Sequence, residues 1–276
     1  MKGKICVVTG ANSGIGKATA IGLAEMNATI VMVCRDKERG EQAQKEIIEL
    51  TGNKNVDLML CDLSSLEAIR RFATEFKNRY QKLDVLINNA GVMKKQGVLS
   101  VDGFEMNFAV NHLAPFLLTN LLLDILKKSA PSRIINVSSA AHKMAKLDFD
   151  DLQCEDKKLR LMRIYGNSKL ALMLFSYELS RRLEGTMVTV NTVHPGMIGT
   201  NLGRDMGKFS QAFGKRFFKT PGEGAETSIY LASSPEVEGI TGKYYIKKQQ
   251  KESSKKCYNE EDAKKIWEMS VEMTKL

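Results

Sequence analysis

A tyrosine and a lysine four positions apart, Tyr165 and Lys169 in the stretch YGNSK, have side chains that can cooperate in proton transfer. Residues 160–183 have helical periodicity, which places positions four apart on one face, with about 5–6 Å between their Cβ atoms. A tyrosine hydroxyl with a pKa of about 10 is a poor base at neutral pH. A neighbouring ammonium group stabilises the phenolate and lowers that pKa, so the spacing predicts an acid–base pair.

The same spacing occurs again at Tyr244 and Lys248, in GKYYIKK. The chain has seven tyrosines and many lysines, so one such pair is expected by chance. This second stretch has the pattern of a strand, in which four residues span about 13 Å. We therefore retain only the helical pair as a candidate.

Three glycines follow the first apolar run, at positions 10, 14 and 16 of TGANSGIG. They lie between a strand pattern and a helix pattern, where glycines let the backbone approach a pyrophosphate and the helix presents free N–H groups to it. The alternative is a tight turn without a ligand. The position favours nucleotide binding, although the spacing is G-x-x-x-G-x-G rather than G-x-G-x-x-G.

A guanidinium group, Arg35, ends the second apolar run, IVMVC. Dinucleotide-binding folds place a carboxylate here to bind the ribose hydroxyls of NAD. A guanidinium would instead bind a 2′-phosphate in bidentate fashion, which indicates NADP(H). Alternatively, Arg35 is a solvated residue that opens the next helix. Asp36 could repel the phosphate or serve an NAD ribose, but it is better suited to cap a helix that starts at Lys37.

Short apolar runs alternate with amphipathic segments along the chain. We expect strands at 4–9, 29–34, 56–61, 83–88, 132–138 and 186–193, and helices at 37–50, 65–79, 103–128 and 160–183. This alternation is typical of βαβ units and predicts an α/β fold, a single doubly wound (Rossmann-type) parallel sheet with helices on both faces. No linker or repeat divides the chain, so residues 1–276 are expected to form one dinucleotide-binding domain, with a C-terminal helix and basic tail at about 247–276.

Two segments interrupt this alternation, residues 139–160 and 197–220. Each follows the carboxyl end of a strand, the edge at which doubly wound sheets bind ligands. Methionine, histidine and phenylalanine side chains gather in and near these segments, and they indicate either an adaptable apolar pocket or ordinary core. They are Met93, His142, Met144, Met162, Met197, Phe209, Phe213, Phe217 and Phe218.

The glycine turn resembles that of the short-chain dehydrogenase/reductase family, and six further stretches follow in the family's order. They are CDL at 61–63, NNAG at 88–91, NHLAPF at 111–116, NVSS at 136–139, YGNSK at 165–169 and HPG at 194–196. Each is weak alone, but together they cover nearly the whole chain. Ser139 and Tyr165 stand 26 positions apart, about twice the usual family spacing. This longer segment, with VCRDKERG and GKYY…IWEMS, resembles the retinol dehydrogenase-like branch.

The resemblance implies a role for each candidate side chain. Tyr165 would exchange a proton with the substrate oxygen, and Lys169 would lower its pKa and hold the nicotinamide ribose. Ser139 would hydrogen-bond the carbonyl oxygen, and Asn111 would hold a water. Alternatively, Ser139 caps backbone at a strand end, and Asn111 is a buried amide satisfied within its helix. The cofactor-binding residues implied are Gly10, Asn12, Ser13, Gly14, Ile15, Gly16, Arg35, Asp62, Leu63, Asn89, Ala90, Gly91, Tyr165, Lys169, Pro195 and Gly196.

The activity implied is that of an NADP(H)-dependent oxidoreductase. It would transfer hydride between the nicotinamide and a carbonyl or alcohol group of an apolar substrate, such as a retinoid-like molecule, an aldehyde or a ketone. The alternative is a non-enzymatic NADP(H)-binding regulatory module, which we would expect to lack one of Ser139, Tyr165 or Lys169. Family members often pair through two long helices, here 103–128 and 160–183, so a homodimer is also considered.

Composition argues against several other classes. The net charge of +9 is scattered, and no nucleic-acid-binding module is recognisable, so no nucleic-acid partner is expected. No segment has the ~20 apolar residues of a membrane span, and the N-terminus leads directly into a strand, so we expect neither a signal peptide nor a stable membrane anchor. Five irregularly spaced cysteines indicate reduced thiols in a cytoplasmic protein, and three dispersed histidines predict no metal site.

Overall fold

The computed structural model describes residues 1–155, 159–196 and 220–276, and its centre is one eight-stranded sheet. The strands are β1 (Ile5–Thr9), β2 (Thr29–Cys34), β3 (Val56–Leu60), β4 (Val85–Asn88), β5 (Ser132–Val137), β6 (Val188–His194), β7 (Lys243–Ile246) and β8 (Gln249–Lys251). Their order is β3-β2-β1-β4-β5-β6-β7-β8. The first seven are parallel, and β8 pairs antiparallel with β7.

Helices connect the strands and cover both faces of the sheet. They are α1 (Gly14–Glu25), α2 (Lys37–Thr51), α3 (Leu66–Arg79), α4 (Met106–Phe108), α5 (Ala114–Leu121), α6 (Leu123–Lys128), α7 (Leu161–Arg182), α8 (Pro221–Ser233) and α9 (Glu260–Thr274). The predicted doubly wound α/β fold is confirmed, and all six predicted strands agree with the structure to within two residues at each end.

The two faces of the sheet have separate apolar cores. On one face Phe72, Phe116 and Phe175 come together from α3, α5 and α7. On the other, side chains such as Leu23 and Leu231 come from α1 and α8. Strands buried on both faces need apolar side chains at successive positions, which explains why they appear as continuous apolar runs in the sequence.

The expectation of one continuous helix over residues 103–128 is wrong. The segment divides into α4, a π-helical turn at Ala109–Leu113, α5 and α6. The physical reason for the first break lies in Pro115, which has no N–H to donate to the carbonyl of Asn111 four positions earlier. A π-helical turn accommodates such a gap, and turns of this kind are frequent at functional sites.

The C-terminal helix α9 packs on the helices that follow β4 and precede β6. The ring of Trp267 lies 5.1 Å from that of Phe116 and 5.9 Å from that of Phe175, between centroids. A homodimer formed through this face of α5 and α7 would therefore have α9 at its interface. Within the described ranges, no helix combines the length and the hydropathy that crossing a bilayer requires.

Candidate active site

Tyr165 and Lys169 lie on α7 beneath the carboxyl end of β5, and both are buried. The Lys169 Nζ atom is 5.9 Å from the centroid of the Tyr165 ring. It also donates a hydrogen bond of 2.9 Å to the carbonyl oxygen of Val137, the last residue of β5. The helix thus places the two side chains together, as their spacing predicts.

The pKa values of this pair differ from the expectation. Burial raises the pKa of Tyr165 to about 12, against the smaller lowering effect of a side-chain hydrogen bond with Ser139. Burial lowers the pKa of Lys169 to about 7. Desolvation disfavours the charged form of both groups. Burial thus works against the phenolate, and a charged Lys169 beside the ring works in its favour.

Ser139 follows β5 and begins a 3₁₀ turn, Ala140–Met144, that packs against α7. Its hydroxyl oxygen accepts a hydrogen bond of 3.2 Å from the backbone N–H of Ala141, so the capping alternative is present together with the contact to Tyr165. Gly166 allows this approach, because a Cβ there would lie 2.7 Å from the Ala141 carbonyl oxygen. The hydroxyls of Ser139 and Tyr165 therefore share one side of the site.

Asn111 lies fully buried in the π-helical turn. Its Oδ1 accepts from the backbone N–H of Val92 at 2.8 Å, and its Nδ2 donates to the Val92 carbonyl and to Ser168 Oγ, each at 2.9 Å. The amide is satisfied across the fold and not within its own helix. A Cβ on Gly91 would lie 3.2 Å from Asn111 Oδ1 and 3.5 Å from Lys169 Nζ, so the turn after β4 closely approaches both side chains.

The glycine turn after β1 has the geometry of a phosphate cradle. Gly10 and Gly14 have positive φ angles of 68° and 56°. A Cβ on Gly16 would lie 2.3 Å from the Gly10 carbonyl oxygen and 2.4 Å from Asn89 Nδ2, so no side chain fits there. At the start of α1 the side chain of Ser13 makes no capping hydrogen bond, and the first turn has no acidic residue. These features fit a pyrophosphate bound at the helix N-terminus.

Arg35 lies exposed just beyond the end of β2, next to the start of α2. Asp36 is the N-cap of α2, and its Oδ1 accepts a hydrogen bond of 3.0 Å from the backbone N–H of Arg39. The capping role expected for Asp36 is confirmed. Within the ranges that the structure describes, the Arg35 guanidinium makes no ion pair or hydrogen bond.

The remaining cofactor candidates lie along the same edge of the sheet. Asp62 and Leu63 follow β3, and Asp62 Oδ1 accepts hydrogen bonds from the backbone N–H and hydroxyl of Ser64. Asn89 and Ala90 follow β4, and their N–H groups donate to Thr9 Oγ1 at 2.9 Å. Pro195 and Gly196 follow β6, and Gly196 has a φ angle of 98°. Asn12 and Ile15 lie in and after the turn that opens α1.

The candidate pocket side chains divide into several groups. Met93 packs with Ala141, Leu161 and Tyr165, so it lies at the site. His142 is fully buried, whereas Met144 and Met162 are exposed. The other five candidates, Met197, Phe209, Phe213, Phe217 and Phe218, lie outside the described residues.

The rejected pair is separated in the structure. Tyr244 is buried in β7, with its ring 5.3 Å from that of His142. Lys248 follows the strand with a φ of 61°, and its Nζ lies 3.0 Å from a carboxylate oxygen of Glu226. Strand geometry therefore discriminates between the two pairs.

Three contacts of the site were missed at the level of sequence. They involve the Val137 carbonyl that accepts from Lys169, the Ser168 hydroxyl that accepts from Asn111, and His194 at the end of β6. A backbone carbonyl cannot be recognised from the sequence as a hydrogen-bond acceptor. The contact of His194 could have been predicted, because His194 ends the strand next to β5 and therefore lies beside the residues that follow Val137.

Comparisons with known proteins agree with this geometry. A family profile described as short chain dehydrogenase matches residues 4–211. Retinol dehydrogenase 14 of Homo sapiens is 45% identical, over 100% of this chain and 88% of its own length. Retinol dehydrogenase 13 of Homo sapiens is 46% identical, over 99% of this chain and 85% of its own length.

Solved structures show the same fold. A crystal structure of an uncharacterized protein from Mycobacterium paratuberculosis superimposes with a TM-score of 0.81 at 34% identity, covering 99% of this chain and 94% of that one. The Pseudomonas aeruginosa RhlG/NADP active-site complex superimposes with a TM-score of 0.72 at 28% identity, covering 88% of this chain and 94% of that one. Fold, motif order and full-length similarity agree, and we conclude that this chain is a short-chain dehydrogenase/reductase of the retinol dehydrogenase-like branch.

Proposed function

We propose that the protein is an NADP(H)-dependent oxidoreductase that interconverts a carbonyl and an alcohol group of an apolar substrate. The observation that carries the proposal is the convergence of four side chains from three elements beside a glycine turn that fits a pyrophosphate. Ser139 follows β5, Tyr165 and Lys169 lie on α7, and Asn111 lies in the π-helical turn. A regulatory module without activity would have no need of all four. A bound nicotinamide would supply or accept the hydride.

The chain's own residues hold and move the proton. The Ser139 hydroxyl donates a hydrogen bond to the substrate oxygen, and the Tyr165 hydroxyl gives that oxygen a proton during reduction or takes one during oxidation. A charged Lys169 favours the phenolate of Tyr165. Asn111 keeps the turn at Val92 in place through its hydrogen bonds to that backbone, so that Gly91 remains next to Lys169.

The preference for NADP(H) is supported by the end of β2. Arg35 is exposed there with its guanidinium free to bind an anion, while the carboxylate of Asp36 is occupied as a helix cap. A guanidinium binds phosphate through two parallel hydrogen bonds. The RhlG protein of Pseudomonas aeruginosa, whose structure is an active-site complex with NADP, has the same fold.

The apolar substrate class is supported by the side chains around the candidate base. Met93 and Leu161 pack with Tyr165, and methionine adapts to varied apolar ligands. Relatives at about 45% identity are named retinol dehydrogenases. A retinoid-like molecule, an aldehyde or a ketone would suit such surroundings.

The test is an assay of NADPH oxidation with retinal, straight-chain aldehydes of increasing length, and ketones. We expect turnover that rises with the apolar length of the aldehyde and that requires NADPH rather than NADH. Full NADPH binding with no turnover of any carbonyl, and no oxidation of the matching alcohols with NADP⁺, would instead support the regulatory module.

We also propose that residues 1–276 act as one domain in the cytoplasm. Strands from residue 5 to residue 251 join one sheet, and α9 packs back onto α7. All five cysteines are free and buried, which favours a reducing compartment.

A further inference from the structure

Two histidines hold the same peptide group, the one that joins Ser139 to Ala140. The Nδ1 atom of His142 is 2.6 Å from the Ser139 carbonyl oxygen. The backbone N–H of Ala140 donates to Nδ1 of His194 at 3.3 Å. Both hydrogen-bonding groups of a single peptide plane are therefore bound by imidazole rings from different elements, the 3₁₀ turn and β6.

The partners determine the protonation of each ring. Nε2 of His142 accepts a hydrogen bond of 3.2 Å from the backbone N–H of Ser254, which can only donate. The proton of neutral His142 is therefore on Nδ1, where it is donated to the Ser139 carbonyl. His194 accepts at Nδ1 from Ala140, so its proton is on Nε2. Both rings must be neutral, and burial lowers the pKa of each, that of His194 to about 4.

His142 also links the site to the C-terminal part of the chain. Its ring is fully buried against Tyr244 of β7, and Ser254 lies between β8 and α9. Lys256, from the same segment, donates to the Ala145 carbonyl at 2.5 Å, at the end of the 3₁₀ turn. The turn that begins at Ser139 is thus held from both sides, by α7 and by residues 254–256.

We propose that His142 and His194 are positioning residues that orient the Ser139 hydroxyl by holding the peptide that follows it. This inference rests on the proposed function, in which Ser139 binds the substrate oxygen. The backbone N–H of Ala141, the next amide along the chain, donates to the Ser139 hydroxyl oxygen at 3.2 Å, so a displaced Ser139–Ala140 peptide would move this donor and the hydroxyl with it. The histidines would not touch substrate, so their loss should affect the rate of the reaction and leave cofactor binding unchanged.

A pair of substitutions at His142 separates its two hydrogen bonds. Asparagine places an amide nitrogen close to the position of Nδ1, and glutamine places its amide close to Nε2. His142→Asn keeps the donor to Ser139 and loses the contact with Ser254, whereas His142→Gln does the reverse. We expect kcat for aldehyde reduction to fall about fivefold or more in His142→Gln and to stay within about twofold in His142→Asn. Equal losses in both variants, or a changed Kd for NADPH, would show a packing role only.

A second measurement does not depend on activity. The chain has three histidines, so ring ¹⁵N spectra of histidine-labelled wild type are simple, and His142→Asn and His194→Asn assign the signals. At pH 7 we expect the Nδ1–H tautomer for His142 and the Nε2–H tautomer for His194. The opposite tautomer or a charged ring at either site would overturn the inference. If no carbonyl is reduced but the tautomers are as expected, the proposed function fails while the arrangement of the peptide stands.

Discussion

The α carbon of Gly16 faces the carbonyl oxygen of Gly10, which would lie only 2.3 Å from any Cβ at position 16. The contact brings the start of α1 against the turn after β1. It also keeps open the surface on which a pyrophosphate would lie, because side-chain atoms are absent from both positions.

Gly16→Ala should therefore weaken cofactor binding by about tenfold or more. The backbone must move to remove the clash, and a displacement at the cradle costs several hydrogen bonds to phosphate. Fluorescence titration with NADPH measures the effect. Gly222→Ala is the matched control, because a Cβ there would meet only Thr220 Oγ1, at 3.8 Å. Unchanged affinity in Gly16→Ala would contradict the cradle.

Tyr165→Phe should lower kcat by at least about 10²-fold and leave the Kd for NADPH within about threefold. The phenylalanine ring keeps the contacts with Met93 and Leu161 but has no proton to transfer. Tyr177→Phe is the control, because it removes a hydroxyl of the same helix that donates to Ser253 Oγ at 2.9 Å, in the C-terminal segment. If more than about a tenth of wild-type kcat remains in Tyr165→Phe, another group transfers the proton.

Lys169→Met should weaken NADPH binding and move the pH profile of alcohol oxidation toward alkaline values. Without the ammonium, the phenolate of Tyr165 loses a stabilising charge, so its pKa rises and the rate increases only at higher pH. The measurement is kcat against pH in the oxidation direction. Lys248→Met removes an exposed lysine with the same spacing from a tyrosine and should leave the profile unchanged. An unshifted profile in Lys169→Met would exclude electrostatic coupling to Tyr165.

Arg35→Asp should weaken NADPH binding at least about tenfold and affect NADH little, since a hydrogen bond to a charged group contributes about 1.5–3 kcal/mol. Asp36→Asn serves as the control, because asparagine still caps α2 and removes a negative charge near the phosphate. That variant should keep or increase its preference for NADPH. Equal use of both cofactors by wild type would mean that Arg35 does not bind a 2′-phosphate.

Unfolding should become easier as the pH falls below about 6.5, and His112 should contribute to this together with the other two histidines, whose pKa values burial also lowers. Burial lowers the pKa of His112 to about 3, and among the described residues its Nδ1 has no partner. The unfolded chain binds this proton at about pH 6.5 and the folded chain does not, so stability is lost as the pH falls toward the folded pKa. Between pH 6.5 and 5, His112→Gln should reduce the slope of unfolding free energy against pH by about 1 kcal/mol per unit in urea titrations. An unchanged slope would show that His112 is not neutral in the folded state.

The sequence alone determined the order and type of the elements that form the sheet. Apolar runs such as 29–34 are buried on both faces, so they appear without interruption in the sequence, and their ends agree with the structure to within two residues. The pairing of Tyr165 with Lys169, and the capping of α2 by Asp36, are local relationships within about one helical turn. Backbone geometry alone fixes such relationships, so they can be predicted from spacing.

Only the tertiary structure decided the relationships between distant segments. Asn111 binds Val92 and Ser168, Lys169 binds the Val137 carbonyl, and His142 reaches Ser254. The direction in which the pKa of Tyr165 is shifted likewise depends on burial, and burial cannot be predicted from the spacing of residues in the sequence. These contacts form where the carboxyl ends of neighbouring parallel strands meet. Which residues meet there depends on strand order, on the π-helical turn at Ala109–Leu113 and on the path of the C-terminal segment.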